Sequence, residues 1–430
     1  MADGATQRAG AVQGALGAGL AAMLAVLAPL LLAPGTARAD DDLVKRGEYL
    51  TRAADCAACH NSPSGQAWVG GREFRLPMGV LYSPNITPDR DTGIGQYSDD
   101  EWVAMMHEGI GRGGKHLYPA MPYNSYTGMS RDDALAIKAY LFAQTPEKAT
   151  APENRMRFPF NQRWLMVGWN LLNNPDRRLQ PTQGKSAKWN RGAYLVEALG
   201  HCGQCHTPRN FMQGLSGKHL AGAPQQGWMS YNLTADRDHG IGGWSDDQLV
   251  QYLGTGQAEG RGPAGGPMAE AVQHSLHYLT QPDLRAMVTY LRDVPARQDG
   301  PPALSAAAEP RDANVVSAST GGGADAGAGG LGARVFAQAC AGCHLPDGAG
   351  RQSPWAALGG DHTTGDTSGA NIVQVLIHGS QIETDQGLMF MHGFTGAYTS
   401  AEMAAVSNYV IAHYSGRTGT VSAKDFKPAE

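Results

Sequence analysis

The six cysteines of this 430-residue chain all fall within three copies of one short pattern. Each copy is a C-x-x-C-H motif, in which two thiols are followed directly by an imidazole. In a helical turn, positions i, i+3 and i+4 share one face, so the three side chains can meet one edge of a planar ligand. Thiols that can add to vinyl groups and a histidine that can bind iron predict covalent c-type haem. The predicted attachment residues are Cys56, Cys59, His60, Cys202, Cys205, His206, Cys340, Cys343 and His344.

Other uses of these cysteines fit the sequence less well. A zinc site made from C-x-x-C pairs needs two pairs close together, typically about 15–20 residues apart, and these pairs are separated far more widely. A thioredoxin-like motif belongs in a βαβ unit, whereas the flanking residues here indicate helix and glycine-rich loop. A disulfide framework is expected mainly in short secreted chains. The pattern therefore favours three covalent haem c groups.

A second iron ligand decides between electron transfer and ligand binding, and methionine in that position raises the reduction potential. Met121 and Met268 lie at the same distance, within one residue, after the first cysteine of their motifs. In the third repeat Met391 precedes a capped helix, with Met389 as a near neighbour. We therefore predict iron ligation by His60 and Met121, His206 and Met268, and His344 and Met391. The histidines His116, His274 and His392 are the competing candidates.

The first 39 residues have the features of a cleavable signal peptide. An apolar run from about Ala11 to Leu32 is followed by Ala37-Arg38-Ala39, an A-x-A cleavage pattern. Export agrees with c-type haem and predicts a periplasmic protein. No later stretch approaches the roughly 18 apolar residues of a membrane span. The chain carries a net charge of −5, which gives no support to nucleic-acid binding.

The remaining sequence repeats itself. Asn85-Ile-Thr87 after the first motif returns as Asn232-Leu-Thr234 after the second, and each is followed by a Ser-Asp-Asp helix start. The aspartates between these points are interpreted as turn residues rather than a calcium loop, because the glycine and glutamate of an EF-hand loop are absent. Each repeat ends with a capping-box signal, at Ser130/Asp133, Thr280/Asp283 and Thr399/Glu402.

These repeats predict an all-α protein of three tandem cytochrome domains, each a small helical bundle whose first and last helices pack together around haem. The segment 151–187 contains two tryptophans and five arginines. It is either packed over the first two domains or a docking surface for a partner or the membrane. The low-complexity segment 297–329 is predicted to be a flexible linker. The boundaries are 1–39 signal, 40–150 domain 1, 151–187 connector, 188–296 domain 2, 297–329 linker, 330–416 domain 3 and 417–430 polar tail.

The methionine-bearing loops carry a resemblance to a known family. Leu117-Tyr-Pro-Ala-Met-Pro-Tyr123, Asn85-Ile-Thr-Pro-Asp89 and Gly266-Pro-Met268, with the stretch from Met391 to Tyr409, closely resemble the triheme cytochrome c subunit of bacterial membrane-bound dehydrogenases, of the quinoprotein alcohol dehydrogenase and gluconate 2-dehydrogenase type. The likeness runs from Asp42 to about Gly416. One departure is His392, since the family usually has proline after the third methionine.

The resemblance implies a non-catalytic electron-transfer subunit. Its partners would be a catalytic quinoprotein or flavoprotein dehydrogenase and ubiquinone, and it would be attached peripherally to the periplasmic face of the inner membrane. Two other functions remain open from the residues: a haem enzyme with an open iron site, such as a peroxidase or a thiosulfate-oxidising cytochrome, and the cytochrome module of a terminal oxidase. The sequence does not name the dehydrogenase or its substrate.

Overall fold

The computed structural model of the protein describes residues 33–301, 328–351 and 353–426. Predicted signal residues 1–32 and most of the predicted linker therefore lie outside the described residues. The helices, in chain order, are α1 (Ala33–Ala53), α2 (Cys56–His60), α3 (Asp99–Glu108), α4 (Tyr123–Tyr126), α5 (Arg131–Phe142), α6 (Leu165–Asn173), α7 (Ala187–Ala193), α8 (Gly203–His206), α9 (Asp246–Thr255), α10 (Gly266–His274), α11 (Gln281–Leu291), α12 (Ala328–Val335), α13 (Ala341–His344), α14 (His362–Gly365), α15 (Ala370–His378) and α16 (Ser400–Ser415).

Short antiparallel strands accompany the helices, which departs from the expected all-α fold. The longest pairing is β10 with β11, where Ser380 lies opposite Met391 and Thr384 opposite Gly387. The pairs are too short for an alternating apolar pattern to reveal them in the sequence. The strands are β1 (Glu73–Leu76), β2 (Gly79–Tyr82), β3 (Ile110–Gly111), β4 (Lys115–His116), β5 (Arg155–Met156), β6 (Ala223–Gln225), β7 (Trp228–Ser230), β8 (Gln257–Ala258), β9 (Gly262–Pro263), β10 (Ser380–Thr384) and β11 (Gly387–Met391).

Three helix pairs organise the structure: α1 packs on α5, α7 on α11, and α12 on α16. This confirms the expected packing of the first helix on the last. Each crossing needs a glycine, because a Cβ would lie 1.9 Å from a carbonyl oxygen at Gly47 and Gly192, and 2.2 Å at Gly332. We call the parts built on these pairs units one, two and three. The helices α7 and α12 continue as π-helical turns, Tyr194–Leu199 and Phe336–Cys340, before their motifs.

The predicted helix starts are confirmed, but two of the predicted capping boxes differ. Thr399 and Glu402 form a complete box, as do Ser98 with Glu101 and Ser245 with Gln248. At Ser130 and Thr280 the hydroxyl accepts the expected N–H of Asp133 or Asp283. The carboxylates of Asp133 and Asp283 do not accept from the backbone N–H of Ser130 and Thr280. Each accepts a hydrogen bond from a tyrosine of the neighbouring unit instead.

Units one and two are joined by a reciprocal set of hydrogen bonds. Tyr49 of unit one donates to Asp283 of unit two at 2.6 Å, and Tyr194 of unit two donates to Asp133 of unit one at 2.5 Å. Each aspartate also pairs with an arginine of the helix that crosses its own: Arg46 with Asp133, and Arg191 with Asp283 through two bonds. We call these six residues the tyrosine–aspartate clamp.

The apolar cores follow the same division. One continuous cluster of buried side chains runs through units one and two, including Leu50, Ile137, Leu195 and Leu284, and it takes in Ile382 of β10 in unit three. A second cluster around Phe336 and Tyr414 belongs to unit three. Unit three packs on unit two, where the N–H of Met229 donates to Asn371 at 2.7 Å. Units one and two therefore share one core.

The end of the described chain packs on unit three. In the predicted polar tail, Val421 and Phe426 are buried in the core of that unit, and the Asn408 amide donates to the carbonyl of Val421 at 2.8 Å. Within the described ranges, no helix combines the length and apolar content needed to cross a membrane.

Candidate haem-binding sites

Each C-x-x-C-H motif occupies one short helix. The first forms α2 whole; in the second and third, α8 and α13 begin one residue after the leading cysteine. The residues that precede the first two motifs, Asp55 and His201, have left-handed backbone with φ of 52° and 38°. This turn separates each motif helix from the long helix before it. The motif side chains are thus carried on a single turn, as their spacing predicts.

The motif histidines share one hydrogen bond. The Nδ1 atoms of His60, His206 and His344 lie 2.9, 2.6 and 2.7 Å from the carbonyl oxygens of Pro84, Tyr231 and Ala356. A carbonyl only accepts, so Nδ1 carries the proton and donates it. Burial lowers the pKa of all three imidazoles, which favours the neutral form. Each ring therefore presents an unprotonated Nε2, the tautomer that a metal ligand requires.

The repeated Asn-x-Thr segment fixes two of these carbonyls. Asn85 directly follows Pro84; its side-chain oxygen accepts from the N–H of Thr87 at 2.8 Å, and its amide donates to the carbonyl of Glu147 at 2.7 Å. Asn232, which follows Tyr231, accepts from Thr234 at 2.8 Å and donates to the carbonyl of Arg297 at 2.7 Å. The asparagine thus anchors the loop that orients the histidine.

The acidic residues after these segments belong to turns. Asp89 accepts from the N–H groups of Asp91 and Thr92, and Asp236 does the same with Asp238 and His239. Within the described residues, no group of three or more histidine, cysteine or acidic side chains could hold a metal ion. The aspartates therefore act in the turns.

All six cysteines are thiols without disulfide partners. Burial raises the pKa of Cys56, Cys59 and Cys202 to about 12 and that of Cys340 to about 11. These four thiols are therefore uncharged at neutral pH.

The three predicted methionines lie against the apolar cores of their own units. Met121 and Met268 pack on the core of units one and two, and Met391 packs on the core of unit three. The alternative Met389 packs instead on the first core. Among the two neighbours in β11, only Met391 contacts the core that holds Cys340.

Backbone geometry places two of these methionines. Gly266 at the start of α10 has φ of 51°, and a Cβ there would lie 2.4 Å from the ring of Trp228, so the Gly-Pro-Met turn needs glycine. In unit three, Gly379 has φ of 76° and a Cβ there would lie 2.4 Å from the carbonyl oxygen of Met391. Met391 is therefore held in a strand, whereas Met268 is held in the first turn of a helix.

The competing histidines have different surroundings. His116 lies in β4 with its Nδ1 buried and without a hydrogen-bond partner. His274 ends α10, and burial lowers its pKa. His392 follows Met391 and packs edge-on against the exposed Phe390 at 5.0 Å.

Arg72 is a site residue that sequence reasoning missed. Its guanidinium donates to the carbonyl of Ala58 inside the first motif at 2.6 Å, and to Glu270 on α10 at 2.7 and 3.0 Å. The helix that carries Met268 thus contacts the helix that carries Cys56 and Cys59. Arg72 lies outside the motifs and its partners belong to two different repeats, so no local pattern in the sequence indicates its role.

Unit three contains a pocket beside its motif whose lining suits haem. The lining is apolar or aromatic throughout, and Cys340 lies at its wall, where a thioether bond to a macrocycle would form. The lining residues are Val335, Ala339, Cys340, Leu376, Phe394, Tyr398, Met403 and Val406. This apolar lining with Cys340 in the wall is chemically suited to one side of a covalent haem, although the pocket encloses only about 220 Å³ and is lined by neither His344 nor Met391.

Comparison with known proteins agrees with this chemistry. The cytochrome c family model matches residues 44–144 and 330–412. The chain is 36% identical to the fructose dehydrogenase cytochrome subunit of Gluconobacter japonicus, over 92% of this chain and 84% of that protein. It is 36% identical to the gluconate 2-dehydrogenase cytochrome c subunit of Pantoea cypripedii, over 90% of this chain and 89% of that protein.

A third relative is longer. The chain is 39% identical to a nicotinate dehydrogenase subunit of Pseudomonas putida over 93% of its own length, but spans only 33% of that protein. The shared part includes nearly all of the present chain. These likenesses, together with the three C-x-x-C-H motifs, establish that the chain belongs to the family of cytochrome c subunits of gluconate, fructose and alcohol dehydrogenases.

Proposed function

We propose that this protein is a periplasmic electron-transfer subunit that takes electrons from a partner dehydrogenase and delivers them, through three covalent haems, to ubiquinone in the inner membrane. The observation that carries the proposal is the threefold repetition of one arrangement: a C-x-x-C-H helix, a histidine with its Nδ1 proton on a backbone carbonyl, and a methionine on the same core.

Haem bound between imidazole and thioether supplies a one-electron carrier with a raised potential. In this proposal, six cysteines hold three tandem cytochrome domains to their haems, His60, His206 and His344 are the first iron ligands, and Met121, Met268 and Met391 the second. The bonds from Nδ1 to Pro84, Tyr231 and Ala356 orient the rings and make them stronger bases.

Unit two is proposed to be the middle carrier. Its α10, which carries Met268, contacts both α2 of unit one and β10 of unit three. The N–H of Glu383 on β10 donates to Gln273 on α10 at 3.0 Å. Because the other two units each pack on unit two, electrons that enter at one end of the chain would leave at the other through it.

An open cleft beside unit one is the proposed place where the quinone accepts electrons. It has a volume of about 430 Å³, and Pro84, whose carbonyl holds His60, forms part of its wall. Tyr82, Tyr118, Lys115 and Arg163 also line it, which gives a head group both aromatic contact and hydrogen-bond donors. The cleft therefore reaches from solvent to the loop that orients the first imidazole.

The test uses the full-length mature protein. Mass spectrometry should find three haem adducts, and the reduced protein should transfer its electrons to a water-soluble short-chain ubiquinone. Carbon monoxide added to the reduced protein should leave its spectrum unchanged, because methionine occupies each sixth position. Stoichiometric binding of carbon monoxide at one haem would support a haem enzyme, and co-purification with a copper or haem oxidase would support a terminal-oxidase module.

A further inference from the structure

The connector between units one and two carries an exposed apolar helix face. Along α6 and the residue before it, Trp164, Val167, Leu171 and Leu172 follow the i, i+3, i+7, i+8 spacing of one face. Their exposures are 67, 54, 85 and 68%. A single exposed leucine is common on protein surfaces, but a complete helix face of this kind indicates contact with another body.

The opposite face of α6 fastens the helix to the protein. The side-chain amide of Asn170 donates to the carbonyl of Glu108 at 2.9 Å and accepts from the Tyr123 hydroxyl at 2.7 Å. The indole of Trp169 is buried and donates to the carbonyl of Met212 at 2.9 Å. The polarity of the helix is thus inverted: hydrogen-bonding side chains point inward and apolar side chains point outward.

The flanks extend the apolar surface. Phe211 sits on the loop that receives the Trp169 bond and is 93% exposed, and Phe158 is 80% exposed before the helix. We call the surface formed by these two aromatics and the α6 face the connector patch; it comprises Phe158, Trp164, Val167, Leu171, Leu172 and Phe211.

The positive charge near the connector patch indicates the kind of partner that it binds. Residues 155–178 contain five arginines and a single aspartate, in a chain whose net charge is −5. That aspartate, Asp176, pairs with Arg178, and Arg155 lies 3.7 Å from Glu73, which leaves Arg157, Arg163 and Arg177 without a carboxylate partner among the described residues. Apolar side chains that include a tryptophan and are surrounded by arginines suit the interface of a bilayer with anionic headgroups. Each arginine near such a surface contributes about 1 kcal/mol to the free energy of membrane binding.

We infer that the connector patch is the membrane-docking surface of this protein, with α6 lying in the plane of an anionic bilayer. The inference rests on the proposed delivery of electrons to a membrane quinone, and it adds the orientation of the protein. Tyr118, which lines the proposed quinone cleft, donates to the carbonyl of Phe160 at 2.8 Å, so the cleft lies beside the docked surface.

The experiment measures co-sedimentation of the haem-loaded full-length protein with vesicles of phosphatidylcholine, with and without phosphatidylglycerol. The wild type should bind the anionic vesicles and release with salt. The double variant Leu171→Gln/Leu172→Gln should lose binding by roughly tenfold or more, since burial of one leucine already exceeds a tenfold effect. The double variant Leu388→Gln/Phe390→Gln changes two similarly exposed side chains of the β10–β11 hairpin and should bind like the wild type.

Equal vesicle binding by the wild type and the α6 variant would overturn the inference. It would also be overturned if the α6 variant kept vesicle binding but lost association with the dehydrogenase subunit, since the patch would then be a protein interface. Reduction of a water-soluble quinone tests the proposed function separately, because that reaction needs no membrane and should be unchanged in the α6 variant.

Discussion

The helix crossing at Gly192 allows a quantitative prediction. A Cβ at this position would lie 1.9 Å from the carbonyl oxygen of Ala286, whereas ordinary contact begins at 3.4 Å, so Gly192→Ala forces α7 and α11 apart by about 1.5 Å. Such overpacking typically costs about 1–3 kcal/mol, against a gain of about 0.5–1 kcal/mol from alanine in a helix. The difference is a net loss of about 1 kcal/mol, which is a measurable part of the total stability of a domain.

The assay is urea unfolding of the haem-loaded protein, followed by far-UV circular dichroism and by the haem spectrum. Gly168→Ala is the control, because Gly168 is in a helix and a Cβ there meets nothing within 4 Å; it should be neutral or slightly stabilising. Gly332→Ala, with its Cβ 2.2 Å from the carbonyl oxygen of Ala405, should destabilise unit three most, since the crossing of α12 and α16 lies in the second core. An unfolding midpoint for Gly192→Ala equal to that of the wild type would refute the close crossing.

Three further changes test the sites and the interfaces. Met391→Leu should lower the reduction potential of one haem, measured by redox titration, and let that haem bind carbon monoxide, whereas Met389→Leu should change neither property. The reverse result would make Met389, and not Met391, the iron ligand. Tyr194→Phe should cost about 1.5–3 kcal/mol in urea unfolding by removing a hydrogen bond to a carboxylate, and an effect below about 0.5 kcal/mol would contradict the clamp. Burial raises the pKa of Asp361 to about 7, so the folded state binds the extra proton and stability should fall by up to about 4 kcal/mol as pH rises from 4 to 7. Asp361→Asn should flatten this dependence in melting curves at pH 5 and pH 8, and an unchanged slope would exclude Asp361 as its source.

The parts that sequence could predict are those with a local signal. The helix starts at Ser98, Ser245 and Thr399 follow from capping chemistry within four residues. The pairing of first and last helices in each unit agrees with the expectation drawn from the repeated capping signals.

The parts that it could not predict depend on distant partners. The carboxylates of Asp133 and Asp283 satisfy the spacing of a capping box, but each finds a tyrosine in the other unit and an arginine on the crossing helix. The sequence favours Met391 over Met389 as a ligand, but only the fold shows that these two residues of one strand pack on different cores. For the connector, one face of α6 is bonded to the protein and the other is exposed, so docking of that exposed face stays a prediction.

The tyrosine–aspartate clamp has a consequence for how this chain can be divided. Each tyrosine donates to an aspartate of the other repeat, so cutting between units one and two would leave Asp133 and Asp283 with their arginines but without their tyrosine donors. A viable two-haem fragment would have to keep both repeats together. Gene fusions and truncations should therefore keep the first two repeats together.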